Sequence, residues 1–157
     1  MASVVMAAQG DADYAAAHEL FCEYAAALGV DLCFQGFSGE LQQLPAMYAP
    51  PGGCLLLAVT DGASAGCIGV RRFDSHICEL KRLYVRPAAR GAGLGRLLVA
   101  AALQRARALG YRRTLLDTLA GMGAARRVYE SFGFAPCDAY YHNPIAGVVY
   151  MALDLGA

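Results

Sequence analysis

The sequence predicts an α/β (α+β) domain in which a mixed, mostly antiparallel seven-stranded sheet is flanked by about four helices. Three features carry this expectation. Apolar runs at 54–59, 65–73 and 76–85 are joined by turns as short as Asp61-Gly62 and Asp74-Ser75, and strands so closely connected must be antiparallel neighbours. A further run at 112–117 is reached through a leucine- and alanine-rich helical segment, so it should lie parallel to the strand before that helix. At 157 residues, with 57% hydrophobic and 17% charged side chains, the chain suits one domain, 1–157, with a proper core.

Taken in order, Ser3 to Ala8 reads as a first strand. Asp11 or Asp13 is placed to cap a helix running to Leu28, with Gly29 as its C-terminal stop. Ala17, Leu20, Phe21, Tyr24 and Leu28 give that helix one apolar face. Phe34 and Phe37 lead into a short helix from Ser38 to Leu44, stopped by Pro45. Pro50-Pro51-Gly52-Gly53 turns into the strand at 54–59, and Pro87 ends the strand at 76–85 because proline cannot donate to a ladder. The next helix gathers Leu94, Leu97, Leu98, Ala101 and Ala102 on one face and ends near Gly110. A helix from Met122 to Phe132 closes on Gly133, and Phe134 to Tyr141 and Val148 to Leu155 supply the last two strands.

Between the third strand of the meander and its following helix lies Arg90-Gly91-Ala92-Gly93-Leu94-Gly95-Arg96. Glycines let backbone N–H groups approach a ligand, and a helix start adds unpaired donors and a positive dipole end. With two arginines for charge-assisted bonds, the natural guest is a pyrophosphate. A dinucleotide-binding G-x-G-x-x-G would need its third glycine at Arg96, and Gly95-Arg96-Leu97 lacks the G-K-[ST] of a P-loop. The R-x-x-G-x-G spacing, together with Leu83-Tyr84-Val85 before it and Val128-Tyr129-Glu130-Ser131-Phe132-Gly133-Phe134 after it, resembles the GNAT superfamily of acyl-CoA-dependent N-acetyltransferases, in its bacterial small-molecule type. The resemblance covers nearly the whole chain and is most specific over 79–134. It implies the GNAT fold, with the pantetheine of acetyl-CoA lying between two central strands that splay apart.

The same resemblance implies roles for particular positions. Leu83, Tyr84 and Val85 would supply backbone contacts to pantetheine and to the oxyanion. Arg90, Gly91, Ala92, Gly93, Leu94, Gly95 and Arg96 would hold the pyrophosphate. Tyr129 matches the family tyrosine proposed to protonate the departing thiolate. From a free phenol (pKa about 10) to a thiol (about 8.5) that transfer is uphill by only ~1–2 units; a core tyrosine bonded locally is the alternative. Glu79 lies four residues before Leu83, like the glutamate base of some members. Simple alternation puts Glu79, Lys81, Leu83 and Val85 on one face, unless a bulge intervenes. Glu79 equally suits an ion pair with Lys81 or Arg82, or a grip on the acceptor's ammonium. Tyr140, Tyr141, His142 and Asn143 fall in the loop that borders the family's acceptor pocket and suit a small polar molecule; a plain surface turn is the alternative. Met122 stands where many members carry a pantetheine-binding asparagine, so one polar contact is missing. Arg71 and Arg72 are placed either to meet an acidic acceptor or to serve as a solvated residue and a salt-bridge partner.

Composition narrows the partners. Thirteen basic and thirteen acidic residues cancel, leaving no global field for nucleic acid or an anionic membrane. Without a signal-like segment or a membrane-length apolar run, a cytoplasmic protein is expected. His18, His76 and His142 lack metal-ligand spacing, so no metal is expected. The six cysteines form no C-x-x-C pair and read as buried, reduced thiols. Exposed strand edges leave a homodimer open. The expected activity is acetyl transfer from acetyl-CoA to a primary amine of a small-molecule acceptor, by direct attack in a ternary complex. The alternative is a non-catalytic acyl-CoA-binding sensor or assembly module, whose mark would be a missing acid; Tyr129 is retained.

Overall fold

The computed structural model describes residues 3–29, 32, 36–119 and 121–156. Strands β1 (Ser3–Ala7), β2 (Cys54–Thr60), β3 (Ala63–Arg72), β4 (Ile77–Val85), β5 (Arg113–Thr118), β6 (Ala135–Pro136) and β7 (Val149–Asp154) form one sheet of order β1-β2-β3-β4-β5-β7-β6. Every neighbouring pair is antiparallel except β4–β5. That pair is parallel because α4 (Leu94–Ala108) carries the chain back across the sheet between them. Helix α4 and helix α5 (Gly123–Ser131) cover one face, where Leu98, Val99 and Ala102 pack on Leu56, Ile68, Leu80 and Met151. Helices α1 (Gly10–Leu28), α2 (Phe37–Gln42) and α3 (Leu44–Tyr48) lie on the other, where Leu20, Phe21 and Tyr48 meet Leu55, Leu57 and Cys67. Successive residues of β2 thus feed two cores, as strand alternation requires.

Several expected boundaries move. Gly29 closes α1 in the left-handed conformation as expected, but the N-cap is Gln9, whose backbone N–H donates to Asp13 Oδ2 at 2.9 Å. Pro45 does not stop the second helix; it opens α3, where a missing N–H costs nothing. The described residues therefore hold five helices rather than four. The strand expected over 134–141 shrinks to Ala135–Pro136, and the chain from there to β7 is an irregular loop. Cys33 and Phe34 lie outside the described residues. Among the described residues the thiols are free, yet only Cys54, Cys67 and Cys78 are buried; Cys22 is exposed and Cys137 half-buried.

The largest departure from simple alternation is in β4. Gly69 pairs with Lys81 and Cys67 with Tyr84, so β4 carries one residue more than β3 across this interval. The bulge centres on Arg82, whose φ of 62° lies in the left-handed region. Leu83 and Val85 consequently pack with the α4–α5 core, while Tyr84 belongs to the opposite core. Glu79, Lys81, Leu83 and Val85 therefore do not share one face.

Charge ties the α1–α2 layer to this strand. Arg82 donates to Glu40 from Nε at 3.0 Å and from Nη2 at 2.9 Å, with both side chains at most 2% exposed. Tyr48 adds its hydroxyl to Glu40 Oε2 at 2.9 Å. Just past β4, Arg86 Nη2 reaches Glu23 Oε2 of α1 at 2.7 Å, and the Tyr84 hydroxyl donates to Glu23 Oε1 at 3.3 Å. Glu23 is held below the usual carboxylate range chiefly by its hydrogen bonds from Arg86. Burial alone would raise Glu40, but the Arg82 guanidinium more than compensates and its carboxyl is also low. A depressed folded-state pKa gives stability that is present above the ordinary carboxylate pKa of about 4.3 and lost as pH falls through the folded value. Urea titrations from pH 7 down to pH 3 should therefore show stability falling below about pH 4.5, and the fall should be shallower in Glu23→Gln.

Packing also sets a strict size limit at Gly69. A Cβ built there would lie 2.5 Å from the Tyr48 ring, which Phe21 holds edge-on at a centroid distance of 5.7 Å. Gly69→Ala is expected to destabilise by roughly 1–3 kcal/mol through overpacking, read from the denaturation midpoint.

Candidate active site

A cleft of about 600 Å³ opens beside the glycine loop, walled by Leu83, Tyr84 and Val85 of β4, the loop itself, Tyr24 and Leu28 of α1, and Met122, Ala125 and Val128 around α5. Every loop and strand position predicted for the cofactor lines it except Ala92, which is exposed at the loop's tip. Gly91 and Gly93 have φ of 88° and 78°, and Gly93 is the N-cap of α4. A Cβ at position 91, 93 or 95 would meet nothing within 4 Å, so the glycines serve backbone conformation and an open approach. The first α4 amide with a partner one turn back is Leu97, which donates to the Gly93 carbonyl at 3.2 Å; the start of the helix is left with donors facing the cleft mouth. Both loop arginines are tied to the protein. Arg90 Nε donates to the Val85 carbonyl at 3.0 Å, and Arg96 Nη1 donates to Ser131 Oγ at 2.6 Å while lying 5.0 Å from the Phe132 ring centroid.

Behind the cleft the sheet divides. β4 and β5 pair only over Ile77–Glu79 and Arg113–Leu115. Beyond them β4 runs on to Val85 and β5 to Thr118 without a shared ladder, so the β4 edge that faces the gap keeps unpaired backbone groups.

On the α1 side of this division lies a polar cluster. Glu79, only 5% exposed, accepts the Tyr140 hydroxyl at 2.6 Å and has Lys81 Nζ at 3.9 Å. Its ion-pair partner is thus Lys81; Arg82 is committed to Glu40. Asp117 of β5 accepts the Tyr141 hydroxyl and the Asn143 side-chain amide, the latter at 2.8 Å. Tyr150 of β7 closes the network by donating to the Tyr141 carbonyl at 2.8 Å and accepting the Asn143 backbone N–H at 3.1 Å. Burial and the neighbouring carboxylates push both Tyr140 and Tyr141 far above the ordinary phenol range. Burial draws Lys81 downward, opposed by Glu79. His142 is exposed. The sequence pointed to Glu79, Tyr140, Tyr141 and Asn143, offered Arg82 only as a partner for Glu79, and missed Asp117, Tyr150 and Glu40 as well as the Arg82–Glu40 pair. No local motif marks these four, and their partners lie 7 to 42 residues away.

Tyr129 sits on α5, 6% exposed, edge-on to Phe134 at 5.7 Å between ring centroids. Its hydroxyl has no hydrogen-bond partner among the described residues. Burial, with Tyr24 and the Asp117 charge nearby, pushes its pKa well above the ordinary phenol value. Full proton transfer to a thiolate is therefore steeper than the free-phenol comparison suggests. The three buried thiols do not suit a nucleophile: burial pushes Cys54 and Cys78 up to about 11 and Cys67 higher still. Among the described residues, no group of His, Cys, Asp and Glu is placed to hold a metal ion, and no helix is long and apolar enough to cross a membrane.

Comparison with known families matches residues 16–134, more than half of the chain, to the Acetyltransferase (GNAT) family. The chain belongs to the GNAT family of acetyltransferases. It is 46% identical over 135 residues to an N-acetyltransferase of Schizosaccharomyces pombe, covering 85% of this chain and 83% of that one. It is 29% identical over 198 residues to one from Dictyostelium discoideum, covering 87% and 92%. Such relatives do not single out a bacterial type. Among solved structures, an acetyltransferase of Streptococcus agalactiae superposes with a TM-score of 0.77 at 23% identity, over 97% of this chain and 98% of that one. An acetyltransferase of Salmonella typhimurium solved with acetyl-CoA superposes with a TM-score of 0.70 at 22% identity, over 99% and 95%. The protein is thus an acyltransferase of the GNAT fold.

Removing the Asp117 carboxylate would take from the Tyr141 hydroxyl and the Asn143 side-chain amide the acceptor they share. Asp117→Ala is expected to lower stability by about 1–3 kcal/mol and to make the loop over 137–148 the first site of cleavage in limited proteolysis.

Proposed function

We propose that the protein transfers an acetyl group from acetyl-CoA to the primary amine of a small polar acceptor, by direct attack within a ternary complex. The observation that carries this reading is the cleft that joins the α4 N-terminus and its glycine loop to the bare edge of β4. The loop over Arg90–Arg96 would take the pyrophosphate on backbone N–H groups, with Arg90 and Arg96 adding charge once they exchange their present partners. Leu83, Tyr84 and Val85 would offer main-chain groups to pantetheine and to the thioester oxygen. The apolar side chain of Met122 lines the cleft where a polar contact is missing.

The acceptor enters from the polar cluster on the α1 side, among Glu79, Asp117, Tyr140 and Tyr141. Its amine attacks the thioester carbon, forming the C–N bond as the carbonyl oxygen gains charge. Collapse breaks the C–S bond and releases the thiolate. Tyr129, kept protonated by its burial, donates a hydrogen bond to the leaving sulfur and gives up its proton as charge builds there. Before the attack, Glu79 takes one proton from the acceptor's ammonium as the amine displaces the Tyr140 hydroxyl, and the second proton, shed by the nitrogen as the amide forms, restores the Tyr129 hydroxyl. Asp117 is a second base on the same face, favoured by lying less deeply buried than Glu79. An amino acid acceptor fits a cluster that mixes carboxylates with Lys81. The N-acetylaspartate synthetase of Homo sapiens is 34% identical over 100 residues, although the chain spans only a third of that protein's length.

The test is thiol release from acetyl-CoA against a panel of amines and amino acids, with calorimetric binding of acetyl-CoA alongside. Tyr129→Phe should lower acceptor-dependent release tenfold or more, in line with the ~10²–10⁴ typical of general acid–base groups, while acetyl-CoA binding is retained. Gly93→Val, strained in the left-handed N-cap, should weaken acetyl-CoA binding itself. Binding without release to any acceptor would favour the non-catalytic module.

A further inference from the structure

Among the described residues, only Asp61 and Arg82 have positive φ without being glycine. Asp61 sits in the turn between β2 and β3, where its residue type is at home. Arg82 sits in the middle of a central strand, where a long side chain gains nothing from that conformation. The same residue brings a charge into the interior. Buried ion pairs are a weak source of stability, because desolvation offsets most of the attraction. Strain of this kind persists only where the surroundings over-determine it, and it gathers at functional sites.

The surroundings of Arg82 do over-determine it. Glu40 grips the guanidinium with both oxygens, at 2.9 and 3.0 Å. The Tyr48 hydroxyl fixes Glu40 in turn at 2.9 Å. The rings of Phe37 and Tyr24 lie 5.2 and 5.7 Å from the guanidinium carbon, and the Cys67 thiol donates to the Arg82 carbonyl at 3.3 Å. This bulge falls just beyond Glu79, where β4 loses β5 as a partner, and just before Leu83, where β4 begins to line the cleft. We propose that Glu40 and Arg82 are positioning residues, a latch from α2 that holds the left-handed turn in β4 and so aims the bare strand edge at the thioester carbonyl. The inference rests on the acetyl-CoA reading above. Neither side chain touches the reacting atoms; the main chain polarises the carbonyl and the latch sets its direction.

The test separates a held backbone from a merely filled core, and it needs no acceptor. Wild type is compared with the double variants Glu40→Gln/Arg82→Met and Glu40→Gln/Arg82→Gly. Glutamine still accepts the Tyr48 hydroxyl, methionine fills space but disfavours positive φ, and glycine adopts it freely. Each protein is loaded with acetyl-CoA carrying ¹³C at the carbonyl, and the bound C=O stretch is read by isotope-difference infrared beside calorimetric affinity and Tm. Wild type should shift the stretch to lower frequency than free acetyl-CoA. The methionine pair should bind yet lose most of that shift. The glycine pair should recover it despite a lower Tm from the cavity it leaves. Arg82→Lys, which keeps the charge but not the two-pronged grip, serves if the doubles do not fold, and should show a reduced shift. Equal shifts in every protein, or shifts that follow Tm, overturn the proposal alone, as does a bound but unshifted wild type. A wild type that binds no acetyl-CoA overturns the transferase reading and this one with it.

Discussion

Strand β4 must pair with β3 along one edge, stay bare along the other, and change the face of its side chains part-way along. The bulge at Arg82 meets all three demands. A left-handed residue that is not glycine costs roughly 1–2 kcal/mol, and the arginine adds the desolvation of a charge. What offsets these costs is the doubly bonded Glu40 carboxylate, brought in from α2. The two layers over the sheet are therefore held by different forces. Helices α4 and α5 are seated by leucine, valine and alanine packing. The α1–α2 layer has its apolar seat as well, but it is also pinned at two points by charge, Glu40 to Arg82 within β4 and Glu23 to Arg86 just past its end. The cleft lies where these two regimes meet.

That difference explains what the sequence could reveal. The glycine loop and the start of α4 were legible because their job is done by backbone, and backbone geometry leaves glycines at fixed intervals. The meander was legible because short turns permit only one topology. The polar side of the site was not. The bonds from Tyr141 and Asn143 to Asp117 and from Arg82 to Glu40 span 24, 26 and 42 residues, and nothing local announces which carboxylate each will find.

Simple alternation in β4 gave way to the bulge for a related reason. Alternation is a rule of two, and one inserted residue reverses it for everything downstream. Arginine at position 82 gives no warning of positive φ, because the conformation is imposed by tertiary contacts and not by the residue's own preference. Pro45 misled in the opposite sense: it ends a helix from within but begins one equally well, and only the following Ala46-Met47-Tyr48 turn decides between them.

The loop between β6 and β7 contributes no side chain over 137–148 to either hydrophobic core. Its polar ties to the sheet run through Tyr140, Tyr141 and Asn143, and the Tyr140 ring adds edge-on contacts with Phe73 and Tyr150. On the acceptor reading proposed above, the choice of acceptor is thereby modular. On that reading, natural drift or deliberate grafting can rewrite this segment while leaving both hydrophobic cores and the cofactor groove as they are, so chains sharing this scaffold can diverge in what they acetylate without first diverging in how they fold.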